Sequence, residues 1–452
     1  MSSPDHAVQP VDLAGWLAYL ERQHPVSIDL GLERVTAVAE RMGLFDAPIA
    51  GRLITVAGTN GKGSTVAMLE ALARAHGLTT ATYTSPHLLR YNERLRLDSV
   101  EADDASLVAG FAAVETARLA GEPISLTYFE AGTLAALYII AQRSPQLAIL
   151  EVGLGGRLDA VNILDADVAI VTTVAQDHAA FLGTDIEQIG REKAGIMRAG
   201  HPAVLGSTTL PASVRAHADG LGVPLYALSK QVLRSELDAS GRWRWQGLSS
   251  AQGGPLILDH LPDPGLPLDN AASALQALTL AGLTLDAECC RQGLAQVQLA
   301  GRMQWLGNWC LDVAHNPHAA HYVAKRLAQR PCAGKRYALL GMLADKDAAG
   351  VVGELAGQVD AWVTASLDGE RARSAAALAA TLEASGQPVA HRAESVAAAV
   401  AWLSERLDAD DQVLVCGSFF TVAEALAEWQ AGRLVQPRLA EDASIRHEEG
   451  SA

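Results

Sequence analysis

The chain has 452 residues, 49% of them hydrophobic, enough to bury a full core and to divide into two or three domains. Its 51 acidic against 35 basic side chains leave a net charge of −16, which excludes a general nucleic-acid surface built from basic patches. Five cysteines (Cys289, Cys290, Cys310, Cys332, Cys416) without CxxC or metal-ligand spacing read as reduced thiols; with no visible export signal and no membrane-length apolar run, the expectation is a cytoplasmic protein.

Asp29 precedes Leu32, Val35, Val38 and Met42 and is placed to cap a helix. Leu53-Ile54-Thr55-Val56-Ala57 reads as a short buried strand. Met68, Leu69, Leu72 and Ala75 recur at helical spacing after it. Between them lies Gly58-Thr59-Asn60-Gly61-Lys62-Gly63-Ser64-Thr65. Such a loop points backbone N–H groups at a polyphosphate, and the helix behind it adds the positive end of its dipole. Lys62 would neutralise terminal phosphate charge, with the Ser64 or Thr65 hydroxyl near phosphates and metal. Gly63 between lysine and hydroxyl departs from the usual phosphate-loop spacing. A turn with an incidental lysine is the bland reading; strand, glycines, lysine and helix together favour a nucleoside triphosphate site.

Further strands are expected at Leu147–Leu150, Val168–Val171 and Ala203–Leu205, continuously apolar runs that suit a parallel sheet covered on both faces, and another at Thr80–Tyr83. Ligands collect beyond the carboxyl ends of such strands. Ser85, Glu151 and the pair Asp177-His178 stand there, plausible partners for Mg²⁺ beside phosphate oxygens and water, although histidine is an unusual ligand for so hard a cation. Thr127-Tyr128-Phe129-Glu130 matches a helix capping box ahead of an apolar run. In the helical stretch Glu187–Arg198, Ile189, Lys193, Ile196 and Met197 share a face. A lysine there either snorkels or pairs with a carboxylate, or is buried as a reactive neutral amine; the residues alone favour the first reading.

Residues 231–268, where Trp243 and Trp245 alternate with Arg242 and Arg244, read as small antiparallel strands and turns, with a helix after Asn270. A linker is expected around Gln298–Leu306. Beyond it Trp309–Leu311, Tyr337–Leu340, Ala361–Val363 and Val413–Val415 alternate with alanine-rich helices. The fold class is therefore α/β: a parallel-sheet domain with the phosphate loop over 1–298, a smaller Rossmann-like domain over 299–440, and a disordered tail over 441–452.

Taken together these motifs resemble the bacterial bifunctional dihydrofolate synthase/folylpolyglutamate synthase family of the Mur-ligase-like superfamily. The resemblance runs from Ser27-Ile28-Asp29-Leu30-Gly31-Leu32-Glu33-Arg34-Val35 through the loop Gly58–Ser64, Thr84-Ser85-Pro86-His87-Leu88, Tyr91-Asn92-Glu93-Arg94 and Leu126–Glu130. It continues through Leu150–Ala160, Gly190–Ile196, Asp312-Val313-Ala314-His315-Asn316-Pro317-His318 and Cys416-Gly417-Ser418-Phe419. It implies ATP as co-substrate, contacted by Gly58, Thr59, Asn60, Gly61, Lys62, Gly63, Ser64, Asn270, Arg302, Asp312 and His315, and held between two domains that close on it. Ser85, Glu151 and His178 fall on Mg²⁺-ligand positions for a pair of ions. Lys193 matches a lysine that is carbamylated in the family, which reverses the reading made from its spacing alone. Lys62, Lys193 and His315 carry the catalytic roles. Asp29, Thr127, Tyr128, Phe129, Glu130, Leu158, Asp159 and Ala160 match the positions that hold dihydropteroate in bifunctional members.

The implied reaction activates a pteroate or folate carboxylate as an acyl phosphate, which L-glutamate then attacks. Small molecules would be the partners, with no nucleic acid or membrane, and the chain would act as a monomer. Ala179-Ala180-Phe181, Val161 and Phe420 depart from the family pattern. A cell-wall amino-acid ligase and a non-catalytic nucleotide-binding regulator are the rival readings. Asp29 with Thr127–Glu130 opposes the first, and Glu151, His178 and Lys193 oppose the second.

Overall fold

A computed structural model describes residues 10–26, 28–249, 254–369 and 371–434, so the expected tail over 441–452 lies outside the described residues. The chain divides into two compact units, Met1–Val297 and Gln298–Ala452.

In the first unit the strands are β1 (Leu53–Ala57), β2 (Thr80–Tyr83), β3 (Leu95–Leu97), β4 (Val100–Glu101), β5 (Leu147–Glu151), β6 (Val168–Val171), β7 (Ala203–Leu205) and β8 (Leu225–Ala227). Among the described residues they form one sheet in the order β4-β3-β2-β5-β1-β6-β7-β8. Every residue of β1, β5 and β6 is buried, as their apolar runs require when helices cover both faces. From β2 to β8 neighbours are parallel. The edge is not: β3 and β4 run antiparallel, because Asp98 and Ser99 adopt left-handed φ values of 54° and 69° and close a two-residue hairpin. The chain leaves β1 toward β2 and later crosses from β5 to β6 on the other side. The order thus reverses around β1, where a ligand crevice is expected.

The long helices Asp104–Leu119 and Tyr128–Arg143 pack with Leu13–Leu20 and Glu33–Arg41 in a core that includes Trp16, Val35, Phe111, Leu134 and Ile140. Burying each such side chain contributes roughly 1.5–3 kcal/mol. Helix Glu33–Arg41 is capped at Leu32 without a side-chain bond, so Asp29 is not its cap.

Strands β9 (Leu233–Arg234), β10 (Arg242–Leu248) and β11 (Pro255–Pro262) form the antiparallel sheet expected between 231 and 268. Trp243 and Trp245 are buried, and Trp245 Nε1 donates to the Ala272 carbonyl at 3.1 Å. That bond fixes the helix Leu268–Leu280, which starts at Leu268 and so places Asn270 inside its first turn, not ahead of it. The helix bearing Lys193 spans Ile186–Ala194 and stops at Gly195, short of the expected Arg198.

The second unit holds β12 (Gln304–Leu306), β13 (Trp309–Leu311), β14 (Arg336–Leu340), β15 (Ala361–Ala365), β16 (Val389–Ala393) and β17 (Gln412–Cys416), in the order β12-β13-β17-β14-β15-β16. All are parallel to their neighbours except β12, which forms a hairpin with β13. The stretch read as a linker thus contains a strand, turned back by Gly307 at φ 61°.

Candidate active site

The loop after β1 is clasped by the segment after β6. Thr172 Oγ1 and Thr173 Oγ1 both donate to the Asn60 carbonyl (2.7 and 3.0 Å), and Asn60 N donates to Thr173 Oγ1 at 3.0 Å. Thr59 N donates to the Thr173 carbonyl at 2.8 Å, and Thr59 Oγ1 bonds the Ala175 backbone at 3.0 Å. Sequence reading missed Thr172 and Thr173; two hydroxyls directly after an apolar strand were the available signal. A Cβ on Gly58 would overlap Thr172 Oγ1. Gly58→Ala is therefore expected to break the clasp and weaken ATP binding by about tenfold or more, read by titration calorimetry.

Lys62 opens the helix Lys62–Ala75, and its Nζ donates back to the Gly58 and Thr59 carbonyls at 3.0 and 3.4 Å. Gly63 follows it in the first turn, and Ser64 is buried. From the helix Leu268–Leu280, Asn270 Nδ2 donates to Ser64 Oγ at 2.8 Å and to the Gly61 carbonyl at 3.3 Å. The structure thus joins Asn270 to the loop across 206 positions.

At the carboxyl end of β5, Glu151 is 5% exposed and accepts a bond from Ser85 N at 3.2 Å. His178 sits at a left-handed φ of 53°, an uncommon conformation for this residue, with Nε2 3.9 Å from Asp177 Oδ2. Its side chain is exposed. Among the described residues no three His, Cys, Asp or Glu side chains are grouped to hold a metal. Glu151, Ser85 and His178 nevertheless suit a cation held partly by phosphate oxygens and water, as Mg²⁺ usually is.

Lys193 is 3% exposed. Burial, then the nearby Lys62 charge, pull its amine from 10.5 down to about 7, against the opposing pull of Asp177, Asp159 and Glu192. Gly156 lies under its backbone: a Cβ there would stand 2.7 Å from the Glu192 carbonyl oxygen and 3.1 Å from Lys193 Cα. Asp159 is buried and accepts bonds from Leu154 N (2.8 Å) and Val161 N (3.0 Å), yet burial still raises its carboxyl to about 6. Leu158 and Ala160 flank it, half-buried and buried.

Thr127 and Glu130 form the reciprocal capping box of helix Tyr128–Arg143: Thr127 N donates to Glu130 Oε2 at 2.7 Å, and Glu130 N to Thr127 Oγ1 at 3.2 Å. Glu130 does more than cap, because Arg34 Nη2 donates to its Oε1 at 3.0 Å. The same guanidinium pairs with Asp29 Oδ2 at 2.6 Å and reaches the Asp29 carbonyl at 3.0 Å. Asp29 and the Thr127–Glu130 turn are thereby brought together through Arg34, which sequence reading did not single out. Tyr128 packs edge-on against Tyr91, with ring centroids 5.9 Å apart, and burial pushes its hydroxyl up to about 12. Arg94 lies 5.2 and 5.8 Å from those two ring centres, and Phe129 lies 6.3 Å from Tyr83.

In the second unit Asp312 is buried just beyond β13, accepting bonds from Met303 N and Ala314 N at 2.9 Å each. Burial raises its carboxyl, while Arg302 opposes the shift. Arg302 lies over Phe419 at 5.0 Å, and the His315 ring is 6.1 Å from the same phenyl. Arg302 and His315 therefore converge on the start of the helix Phe419–Gln430, which Ser418 caps.

A glycine-rich phosphate loop in a large α/β unit, followed by a second parallel sheet with its own polar cluster, is the pattern of a Mur-type ligase. The Mur ligase middle domain matches residues 56–210, and the Mur ligase glutamate ligase domain matches residues 301–419. The dihydrofolate synthase/folylpolyglutamate synthase of Escherichia coli is 45% identical over 427 residues, covering 93% of this chain and 96% of that protein. Escherichia coli FolC in complex with DHPP and ADP superposes with a TM-score of 0.86 at 44% identity, over 95% of this chain and 100% of that one. The bifunctional folylpolyglutamate synthase/dihydrofolate synthase of Yersinia pestis complexed with AMPPNP and Mn ion gives 0.85 at 46% identity, over 95% and 100%. The chain belongs to the dihydrofolate synthase/folylpolyglutamate synthase family.

Proposed function

We propose that the protein is an ATP-dependent carboxylate–amine ligase that adds L-glutamate to 7,8-dihydropteroate and to reduced folates. A carboxylate is a poor electrophile, so its oxygen first attacks the γ-phosphorus of ATP, giving an acyl phosphate and ADP. The glutamate amine then attacks the acyl carbon, loses a proton, and phosphate departs.

The loop amides and Lys62 bind the polyphosphate and stabilise charge on the transferring group. Asn270 holds the loop against Ser64, and Arg302, Asp312 and His315 supply the remaining nucleotide contacts. Glu151, Ser85 and His178 would hold divalent cation, Mg²⁺ in the cell, which neutralises phosphate charge when bound. Lys193 acts as its carbamate, formed when the neutral amine attacks CO₂ and releases a proton. Asp29, Thr127–Glu130 and Leu158–Ala160 take the pterin end of the acceptor. We place the reaction in the cytoplasm, carried out by a monomer whose ATP-binding domain spans residues 1–298 and whose ligase domain spans 299–440. Among the described residues no helix is long and apolar enough to cross a membrane.

The observation that carries this reading is the clasped glycine-rich loop with Lys62 opening the helix behind it, together with the buried Lys193. Phosphate release from Mg·ATP with L-glutamate tests it. Turnover is expected with 7,8-dihydropteroate and with reduced folates alike. Turnover with folates alone would remove the first activity, and glutamate-independent hydrolysis would remove the ligase.

A further inference from the structure

We propose that Arg34 is the positioning residue for acceptor recognition, locking the Asp29 carboxylate in place so that one of its oxygens stays open to the pterin ring; this rests on the ligase reading above. The three carboxylate oxygens around Arg34 are already spoken for. Glu130 uses Oε1 for Arg34 and Oε2 for Thr127 N, so both its oxygens are engaged within the protein. Asp29 Oδ2 is taken by Arg34 at 2.6 Å, with His24 Nε2 farther off at 3.7 Å. No hydrogen bond from the described residues reaches Asp29 Oδ1, and the side chain is 40% exposed. Asp29 is therefore the member of the pair that can accept from a ligand, and Glu130 is the anchor.

The anchor stands in a helix, and the presented group does not. Glu130 is 3% exposed at the start of a 16-residue helix, whereas Asp29 lies in an irregular segment ahead of Glu33–Arg41. A planar guanidinium bridging the two transmits the helix position to the loop carboxylate, which a point charge cannot do for both partners at once. Arg34 Nε is buried without an acceptor, a cost in stability that suggests the side chain is oriented for its two carboxylates before its own satisfaction. The ligand chemistry follows. The 2-amino-4-oxopyrimidine edge of a pterin offers adjacent N–H donors, the complement of a fixed carboxylate oxygen.

Steady-state kinetics on the full chain test this with wild type, Arg34→Lys, Asp29→Asn and the double variant. Wild-type turnover of 7,8-dihydropteroate is established first; its absence would remove the dihydropteroate activity and with it this inference, while leaving the ligase reading to the folate assay. Arg34→Lys is expected to raise KM for 7,8-dihydropteroate about tenfold or more, and KM for ATP less than about twofold. In the Asp29→Asn background the same change should add little, because Arg34 acts through Asp29. An unshifted acceptor KM, a matching rise in KM for ATP, or full multiplication of the two single effects would overturn the inference. Should Arg34→Lys fail to fold by circular dichroism, Arg34→Gln is read by the same criteria.

Discussion

Lys62→Ala is expected to lower glutamate-dependent phosphate release by about a thousandfold, the scale seen when a preorganised charge-stabilising group is removed. The side chain is held on the loop, where its ammonium bonds the Gly58 and Thr59 carbonyls at 3.0 and 3.4 Å. The clasp from Thr172 and Thr173 does not involve the lysine side chain, so the loop should keep its shape in the variant. Thermal melting within a few degrees of wild type would accompany the loss, since half-buried surface replacements rarely cost more. Substantial turnover by a folded Lys62→Ala protein would rule out the phosphate-loop role.

Lys193→Met carries the second large effect, and here activity and stability should move in opposite directions. Turnover is expected to fall about a hundredfold or more, with partial recovery on adding a short carboxylate such as acetate. The folded amine protonates at about 7 and the unfolded one at 10.5, so between those values the unfolded chain binds more protons. Stability of the unmodified protein therefore rises with pH across that window, and below about pH 7 the cost of burying the charge is fully present. That cost is on the order of several kcal/mol. Methionine has no such charge, so in CO₂-free buffer the variant should melt higher near pH 7 and lose the slope between pH 7 and 10.5. A variant with an unchanged slope would show that Lys193 is not the titrating group.

Much of this site was legible along the chain because its chemistry is local. Leu53–Ala57, the glycines and the helical spacing after Lys62 are one contiguous unit, and a five-residue, largely apolar run rich in β-branched residues and ended by glycine favours a strand buried on both faces. Glu151 and Ser85 were legible for the related reason that strand ends are easy to find. Arg34, Thr172 and Thr173 were not, because the Glu130 partner of Arg34 and the Asn60 partner of both threonines lie about a hundred residues away, and a pair of hydroxyls after an apolar strand is only a weak local mark. The hairpin β3–β4 and strand β12 escaped for a different reason. They are short and lie at sheet edges, where partial exposure removes the apolar signature. Asn270 was misplaced as a helix start, since its amide serves the Gly61 turn and Ser64 instead of its own helix.

Gly156 has a φ that any residue could adopt, so its requirement is one of space alone: the Glu192 carbonyl and the Lys193 Cα occupy the volume a side chain would need. In a pooled selection for folate prototrophy, position 156 should therefore be as intolerant as position 193, though it has no side chain to act in the reaction. The two intolerances would separate under changed conditions. Lowering the temperature would restore some Gly156→Ala clones by letting the helix Ile186–Ala194 settle a few tenths of an ångström away, while no temperature would restore clones that lack the amine.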